Sequence, residues 1–243
     1  MLQVLLKEVN SFLSSLAGYI VILVFLIVSG LFSWVFPNTS IPAGGFANLQ
    51  PLFSLAPYIF MFLIPAITMR SISEEKRTGT LELLLTRPLS DLQIITGKYL
   101  ACLVLVIVSL IPTFIYYYSV YQLGTPQGNI DTAAVIGSYI GLFFLGATFT
   151  AIGILASSLT DNQIVAFIIS LFFCFLLYDG FTLLASVNVW ADYSYILSKW
   201  GIDYHYRSVS KGLIDSRNVL YFLSIITIML SLAKLALNSR KWE

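Results

Sequence analysis

The sequence predicts an all-α integral membrane protein with six transmembrane helices, and two observations carry that prediction. Of the 243 residues, 58% are hydrophobic and only 10% are charged, whereas soluble domains average about 25% charged residues. Six apolar runs are each long enough to cross the roughly 30 Å hydrocarbon core as a helix. These predicted spans are 19–36, 52–69, 99–120, 134–157, 164–186 and 219–237. We therefore expect residues 1–243 to form a single transmembrane domain.

The first element, residues 1–16, is predicted to be an amphipathic helix. Its apolar side chains recur at helical spacing and polar ones fill the opposite face. The apolar set is Leu2, Leu5, Leu6, Val9, Phe12, Leu13 and Leu16, and Lys7 and Glu8 belong to the polar set. Such a helix beside a span is typical of the membrane interface. The alternative is that it simply extends the first span.

Two of the spans have unusual composition. The second contains Pro57 and Pro65, which release backbone carbonyls that need other partners. That helix could line a cavity or carry an inert kink. The fourth contains Gly137 and Gly141 at GxxxG spacing, followed by further small residues. Small residues permit close helix contact, either within one chain or between two.

Residues 70–98, the polar segment, lie between the second and third spans and contain nine charged residues. Ser71 and Glu74 have the spacing of a capping box, as do Ser90 and Gln93. Gly79 is expected to end the first short helix or to supply a sharp turn, and Thr80 to Leu85 is expected to form a second short helix. A short helix with a leucine face suits a groove on another protein, although a solvated loop has the same composition.

Residues 187–218, between the last two spans, are polar yet rich in aromatic side chains. These are Trp190, Tyr193, Tyr195, Trp200, Tyr204 and Tyr206. This density favours a membrane–water interface, and we predict an external helical hairpin. A plain folded loop is the alternative.

The distribution of Lys and Arg predicts the orientation, because these residues are enriched in cytoplasmic loops. With six spans, nine of them lie on the side of the termini and the polar segment, and four lie on the other side. Both termini and residues 70–98 are therefore expected to be cytoplasmic.

Catalytic and nucleotide-binding motifs are not found in the sequence. His205 is the single histidine, which excludes HExxH and other two-histidine metal sites. There is no Walker A motif and no basic patch with interleaved aromatics for nucleic acid. We expect no catalytic, cofactor or metal site in this chain. Cys102 and Cys174 lie in apolar runs and are predicted to be buried hydrophobes.

Asp179 is a candidate transport-path residue, because an ionisable group within a span is costly and often functional. The alternative is that it lies near the outer end of its helix and is hydrated. An intramembrane aspartyl protease would need a second aspartate, and Asp161 lies in a turn without the required sequence context.

The stretch from Glu75 to Ser90, EKRTGTLELLLTRPLS, resembles the signature of the ABC-2 type transporter permeases. In that family this region lies in the cytoplasmic loop between the second and third spans and docks onto the ATP-binding subunit. The stretch is most similar to the permease subunit of the gliding-motility-associated ABC system (GldF-like). Exporters for copper processing or self-immunity in the same family remain alternatives.

The resemblance implies a permease subunit in a bacterial inner membrane. Its partners would be an ABC ATP-binding subunit, which holds ATP and Mg²⁺, a second permease chain (homo- or heterodimer) and membrane lipid. The implied coupling residues are Glu74, Glu75, Lys76, Arg77, Gly79, Thr80, Leu81, Glu82, Leu84 and Leu85.

Two other functions fit part of the pattern. A non-transporting scaffold could use residues 70–98 to recruit a cytoplasmic ATPase or another partner. A secondary transporter would call for paired ionisable residues in the spans and an internal repeat, and the sequence offers only Asp179 and no clear repeat.

Overall fold

The structure, a computed structural model, describes residues 2–80, 90–187, 193–212 and 215–238. Throughout these ranges the regular structure is helical. The helices are α1 (Leu2–Leu13), α2 (Leu16–Gly30), α3 (Gln50–Thr68), α4 (Ser73–Arg77), α5 (Asp91–Leu110), α6 (Phe114–Leu123), α7 (Thr132–Leu159), α8 (Gln163–Phe175), α9 (Phe181–Ala185), α10 (Ser194–Trp200), α11 (Ile202–Ser210) and α12 (Ser216–Asn238). One-turn 3₁₀ segments lie at Pro42–Gly44 and Ile111–Thr113, and π-helical turns lie at Leu31–Val35 and Leu176–Gly180.

Six helical stretches in the described part of the chain are long and apolar enough to cross a membrane, as the sequence predicts. They are Gly18–Val35, Gln50–Arg77, Asp91–Leu123, Thr132–Leu159, Gln163–Ala185 and Ser216–Asn238. The fourth stretch is the centre of the bundle. Of its 18 most apolar consecutive residues, 83% are buried, against 22% for the first and fifth stretches and 17% for the sixth. The outer three therefore leave most of their apolar surface available to lipid or another protein.

Glycines allow α7 to occupy this central position. A Cβ at Gly153 would lie 1.9 Å from Thr68 Oγ1 of α3, and one at Gly146 would lie 2.7 Å from Val106 Cγ1 of α5. At Gly137 it would lie 2.5 Å from the carbonyl oxygen of Val209. The small residues of the fourth span thus serve packing within the chain at these positions.

Helix α1 packs against α5. Val4 is buried and the Glu8 side chain is only 13% exposed, whereas Leu2 and Leu6 are 68% and 49% exposed. Glu8, which the sequence places on the polar face of the helix, thus faces a buried lysine. The exposed leucines suit a membrane interface, and that placement stays a prediction.

The two predicted capping boxes have opposite outcomes. At the start of α5, Gln93 N–H donates to Ser90 Oγ and the Gln93 side chain accepts from Ser90 N–H. The Ser71–Glu74 box is not formed: α4 begins at Ser73, and the buried Ser71 hydroxyl has no hydrogen-bond partner among the described residues. Gly79 follows the end of α4 with φ +70°, which is the left-handed conformation expected of a terminating glycine.

The region between the last two spans contains two short helices, α10 and α11, joined at Gly201. Helix α11 packs against the N-terminal part of α7 and against α12. The two short helices lie where the hairpin is expected, and the hairpin itself and its depth relative to a membrane stay predictions. Trp190 lies outside the described residues.

Candidate functional site

The predicted coupling residues divide into an inward-facing and an exposed set. Glu75 and Lys76 point towards the bundle, and Glu74 pairs with Arg70 at 3.1 Å on the surface. Arg77, Gly79 and Thr80 are exposed. Leu81, Glu82, Leu84 and Leu85 lie outside the described residues, so the predicted second short helix is described only at Thr80.

The first group of contacts, which we term the serine clamp, joins Ser157 and Ser158 at the end of α7 to Ile72, Ser73 and Lys76. Ser157 Oγ accepts hydrogen bonds from the backbone N–H groups of Ile72 and Ser73, each at 3.0 Å. The same hydroxyl donates to the Met69 carbonyl at 3.0 Å. Lys76 Nζ donates to the Ser158 carbonyl oxygen. Helix α4 is therefore capped by a side chain of the central span.

The second group, the lysine knot, consists of Lys7, Glu8, Glu75 and Lys98. Lys98 is 1% exposed, and its Nζ lies 2.8 Å from Glu75 Oε1 and 3.1 Å from Glu8 Oε1. It also donates to the Ser71 carbonyl at 2.6 Å. Lys7 lies further out, 3.8 Å from Glu75 and 3.9 Å from Glu8, and its side chain is 66% exposed. The knot is thus electrically balanced, and it ties α1, α4 and α5 together.

At the opposite end of the bundle, a cavity of about 500 Å³ opens between α3, α7, α11 and the π-helical turn Leu176–Gly180. We term it the tyrosine cavity. Its lining includes Phe53, Ser54, Tyr58, Ser138, Tyr178, Asp203, Tyr206 and Arg207. The Tyr58 and Tyr178 rings meet edge to face at 5.8 Å. The proline-containing helix α3 therefore lines a cavity, as one of the two sequence-based interpretations of its prolines suggested.

Tyr206 joins α11 to α3 by a hydrogen bond to a backbone carbonyl that Pro57 leaves without its helical donor. Pro57 has no N–H to offer the Phe53 carbonyl four residues earlier, and Tyr206 Oη donates to that carbonyl at 2.6 Å. Burial, and then the neighbouring Asp203 carboxylate, raise the pKa of the Tyr206 hydroxyl. It therefore remains a protonated donor at physiological pH.

One ion pair at the cavity is open to solvent on one side. Arg207 Nε lies 2.7 Å from Asp203 Oδ1; the side chains are 68% and 6% exposed, respectively. The hydrogen bond to Asp203 raises the pKa of Arg207. Asp179 lies in the π-helical turn Leu176–Gly180, near enough to Tyr58, Asp203 and Arg207 to interact with them electrostatically. The candidate transport-path residue is thus half-buried beside the cavity.

Sequence reasoning missed most of the residues that complete these two sites: Glu8, Ser157 and Ser158 at one end, and Tyr58, Asp203, Tyr206 and Arg207 at the other. For Lys98, a signal was present. It is a cation seven residues into a helix that continues as an apolar span, and such groups are usually paired and functional. Nothing local distinguishes Ser157 from the other serines in the spans.

Comparison with known proteins places the chain in a family. A family model described as "ABC-2 family transporter protein" matches residues 36–233, which is well over half of the chain. No curated protein matches the chain. The matched range contains the second to fifth candidate spans whole and most of the sixth, together with the polar segment and the tyrosine cavity. Together with the six-span helical bundle, this match shows that the chain belongs to the ABC-2 family of transporter proteins.

Proposed function

We propose that the chain is the transmembrane permease subunit of an ATP-driven ABC-2 type exporter. Residues 70–98 couple ATP hydrolysis on a separate ABC ATPase subunit to alternating access of a path through the membrane. The observation that carries this proposal is the serine clamp. Helix α4 is hydrogen-bonded to the end of the central helix, so a push on the polar segment reaches the core of the bundle directly.

The division of the polar segment supports docking at its exposed part. Arg77, Thr78, Gly79 and Thr80 face outward, while Glu75 and Lys76 anchor the segment to the protein. An arrangement with one anchored face and one free face suits an element that receives a partner and passes on its movement. Residues 81–85, with their leucine face, complete the proposed docking surface on sequence grounds.

Transport of this kind needs two states of packing that both sites can bias. In the proposed cycle, ATP-driven closure of the ATPases moves α4 with α7, and the far end of α7 borders the tyrosine cavity. The cavity is then the external mouth of the path, with Asp179 beside it. Replacing Asp179 by Asn is expected to lower transport and leave ATPase binding intact.

We further propose that two such permease chains pair in a bacterial inner membrane with both termini in the cytoplasm. The gliding-motility-associated system (GldF-like) is the proposed sub-family, on the strength of residues 75–90. Cysteines introduced at Thr78 and Ser210 are expected to react from opposite sides of sealed vesicles, because six spans place them on opposite faces. Labelling from the same side would contradict this topology.

The primary test is affinity purification of the tagged chain from its native membrane in mild detergent, followed by mass spectrometry. We expect a stoichiometric ABC ATPase, and a second permease chain if the pair is a heterodimer. Absence of an ATPase from a monodisperse preparation would contradict the proposal. It would favour the alternative, a non-transporting scaffold that recruits another partner through residues 70–98.

The docking role has its own test. Glu82→Lys is expected to reduce recovery of the ATPase or its activity in the complex without unfolding the permease. The control is Asp161→Lys, which makes the same charge change at an exposed position on the same end of the bundle. Wild-type recovery and wild-type activity of the Glu82 variant would contradict docking at this position.

A further inference from the structure

Lys98 is one of the charges that predict the orientation of the chain in the membrane, but that role does not explain why its side chain is buried. It begins the third span, yet its ammonium group is buried and meets three different parts of the chain. These are Glu75 of α4, Glu8 of α1 and the Ser71 carbonyl in the turn before α4. Lysine is almost never fully buried unless it is paired, so the contacts explain how Lys98 is tolerated but not why it is there.

Stability alone is a weak reason for this arrangement. Removing charges from water costs several kcal/mol per ion, and replacement of a buried ion pair by well-packed apolar residues is often neutral or stabilising. Two polar atoms at or beside the knot are also unsatisfied: Glu75 Oε2 and the Ser71 hydroxyl are buried without hydrogen-bond partners among the described residues. The arrangement does, however, set the position of α1 and α4 relative to α5.

We propose that Lys98 is a positioning residue for coupling. It pins α4 and α1 to the third span, so that movement of the polar segment is delivered to the third span and to the N-terminal helix together. This inference rests on the proposed coupling function and deepens it. The serine clamp delivers the movement to α7, and Lys98 delivers the same movement to α5 and α1.

The two lysines of the knot differ in burial and in their distance from the carboxylates. Lys98 makes both short contacts from a buried position, while Lys7 is exposed and lies almost 4 Å from each carboxylate. Water can replace Lys7 but has little access to Lys98. Lys7 is therefore a matched control: it has the same charge and the same two partners, and we assign it no positioning role.

The experiment uses the full chain purified with its ATPase and follows labelling by a water-soluble maleimide, with and without ATP and orthovanadate. Reporter cysteines replace Asn10 on the exposed face of α1 and Ser54 in the tyrosine cavity, and both native residues are exposed. The native cysteines, Cys102 and Cys174, are buried. In the wild-type background we expect nucleotide to change the labelling rate at both reporters.

Three substitutions then separate the roles. With Lys98→Met, the complex is expected to assemble and hydrolyse ATP. The nucleotide-dependent change should be lost at position 10 and reduced at position 54, where the serine clamp still delivers movement through α7. Glu8→Gln should remove the change at position 10 and keep it at position 54, since the Glu75–Lys98 contact remains. Lys7→Met should keep both changes. A merely structural role for Lys98 would lower the yield of complex without abolishing the nucleotide response of what assembles.

The outcomes that overturn the inference differ from those that overturn the function. Unchanged responses in Lys98→Met, or unchanged responses at both reporters in Glu8→Gln, contradict the positioning role while the coupling function stands. Should Lys98→Met fail to fold, Glu8→Gln still decides the point, because it leaves the buried lysine paired. A wild-type complex that shows no nucleotide response at either reporter contradicts the coupling function itself, and this inference with it.

Discussion

The two ends of the bundle each contain a cation paired with a carboxylate at nearly the same distance, in very different surroundings. Lys98 lies 2.8 Å from Glu75 and is 1% exposed, and Arg207 lies 2.7 Å from Asp203 and is 68% exposed. The strength of a charge pair depends on the surrounding dielectric and on how easily water replaces the partner. The same contact is therefore expected to hold rigidly at the lysine knot and to give way readily at the tyrosine cavity.

This contrast extends to the surrounding hydrogen bonds. At the knot and the serine clamp, residues from α1, α4, α5 and α7 meet through direct hydrogen bonds and ion pairs. At the other end, α11 is held to α3 by the Tyr206 hydroxyl beside a cavity of about 500 Å³. This contrast suits the proposed coupling, in which the first end transmits displacement and the cavity end changes shape.

The largest effect is expected from Lys98→Met. It leaves two buried carboxylates without their buried cation, and breaking a buried pair costs about 3–5 kcal/mol. The midpoint of thermal unfolding of the detergent-solubilised protein should fall accordingly. Lys7→Met, which removes a cation from the same carboxylates at an exposed position, should change stability by about 1 kcal/mol or less. Equal shifts for the two variants would contradict the contrast between buried and exposed pairs.

The next effect is expected from Ser157→Ala. It removes the acceptor of the Ile72 and Ser73 N–H groups, and an unsatisfied buried group costs about 1–3 kcal/mol. Hydrogen exchange at residues 72 and 73, followed by mass spectrometry, should accelerate together with the loss of stability. The control is Ser33→Ala, because the Ser33 hydroxyl is buried without a hydrogen-bond partner among the described residues. Unchanged exchange in Ser157→Ala would show that the clamp does not hold α4.

At the cavity end, Tyr206→Phe should have a smaller effect. It deprives the Phe53 carbonyl of its donor, at a cost of about 1 kcal/mol, and it loosens α11 from α3. Thermal unfolding and the reactivity of a cysteine at position 54 would both report this change. Tyr19→Phe, at a tyrosine that is 56% exposed, is the control. A loss as large as that of Lys98→Met would mean that the cavity end is as rigid as the knot.

The smallest effect is expected from Arg207→Gln. The Asp203 side chain is only 6% exposed, but it lines the open tyrosine cavity and Arg207 is 68% exposed. Because water can solvate this carboxylate once the arginine is removed, the cost is expected to lie near the roughly 0.2–1 kcal/mol of exposed pairs. Raising the salt concentration should reduce the difference between wild type and variant further, whereas it should hardly alter the Lys98→Met difference. A difference that persists undiminished in high salt would show that the pair is effectively buried.

The contrast between the two capping boxes explains how far local sequence patterns reach. Ser90 and Gln93 cap α5 reciprocally because both partners are three residues apart and nothing else competes. At Ser71 the same pattern is not formed: the Ser71 N–H donates to the Thr68 carbonyl, and α4 begins only at Ser73. The N–H groups of Ile72 and Ser73 at its start donate to Ser157, 85 and 84 residues away. A rule that considers only neighbouring residues cannot include Ser157, because this partner lies far away in the sequence.

Sequence alone determined the six spans, the polar segment and the terminating glycine of α4. Apolar length and left-handed glycine conformations are local properties, so each can be derived from a short stretch of chain. Only the tertiary structure decided that Lys98 meets Glu8, that Ser157 caps α4 and that Tyr206 satisfies the carbonyl released by Pro57. These partners are 84 to 153 residues apart. Their pairing depends on how the helices pack, because a buried polar group takes whichever partner the packing brings within reach.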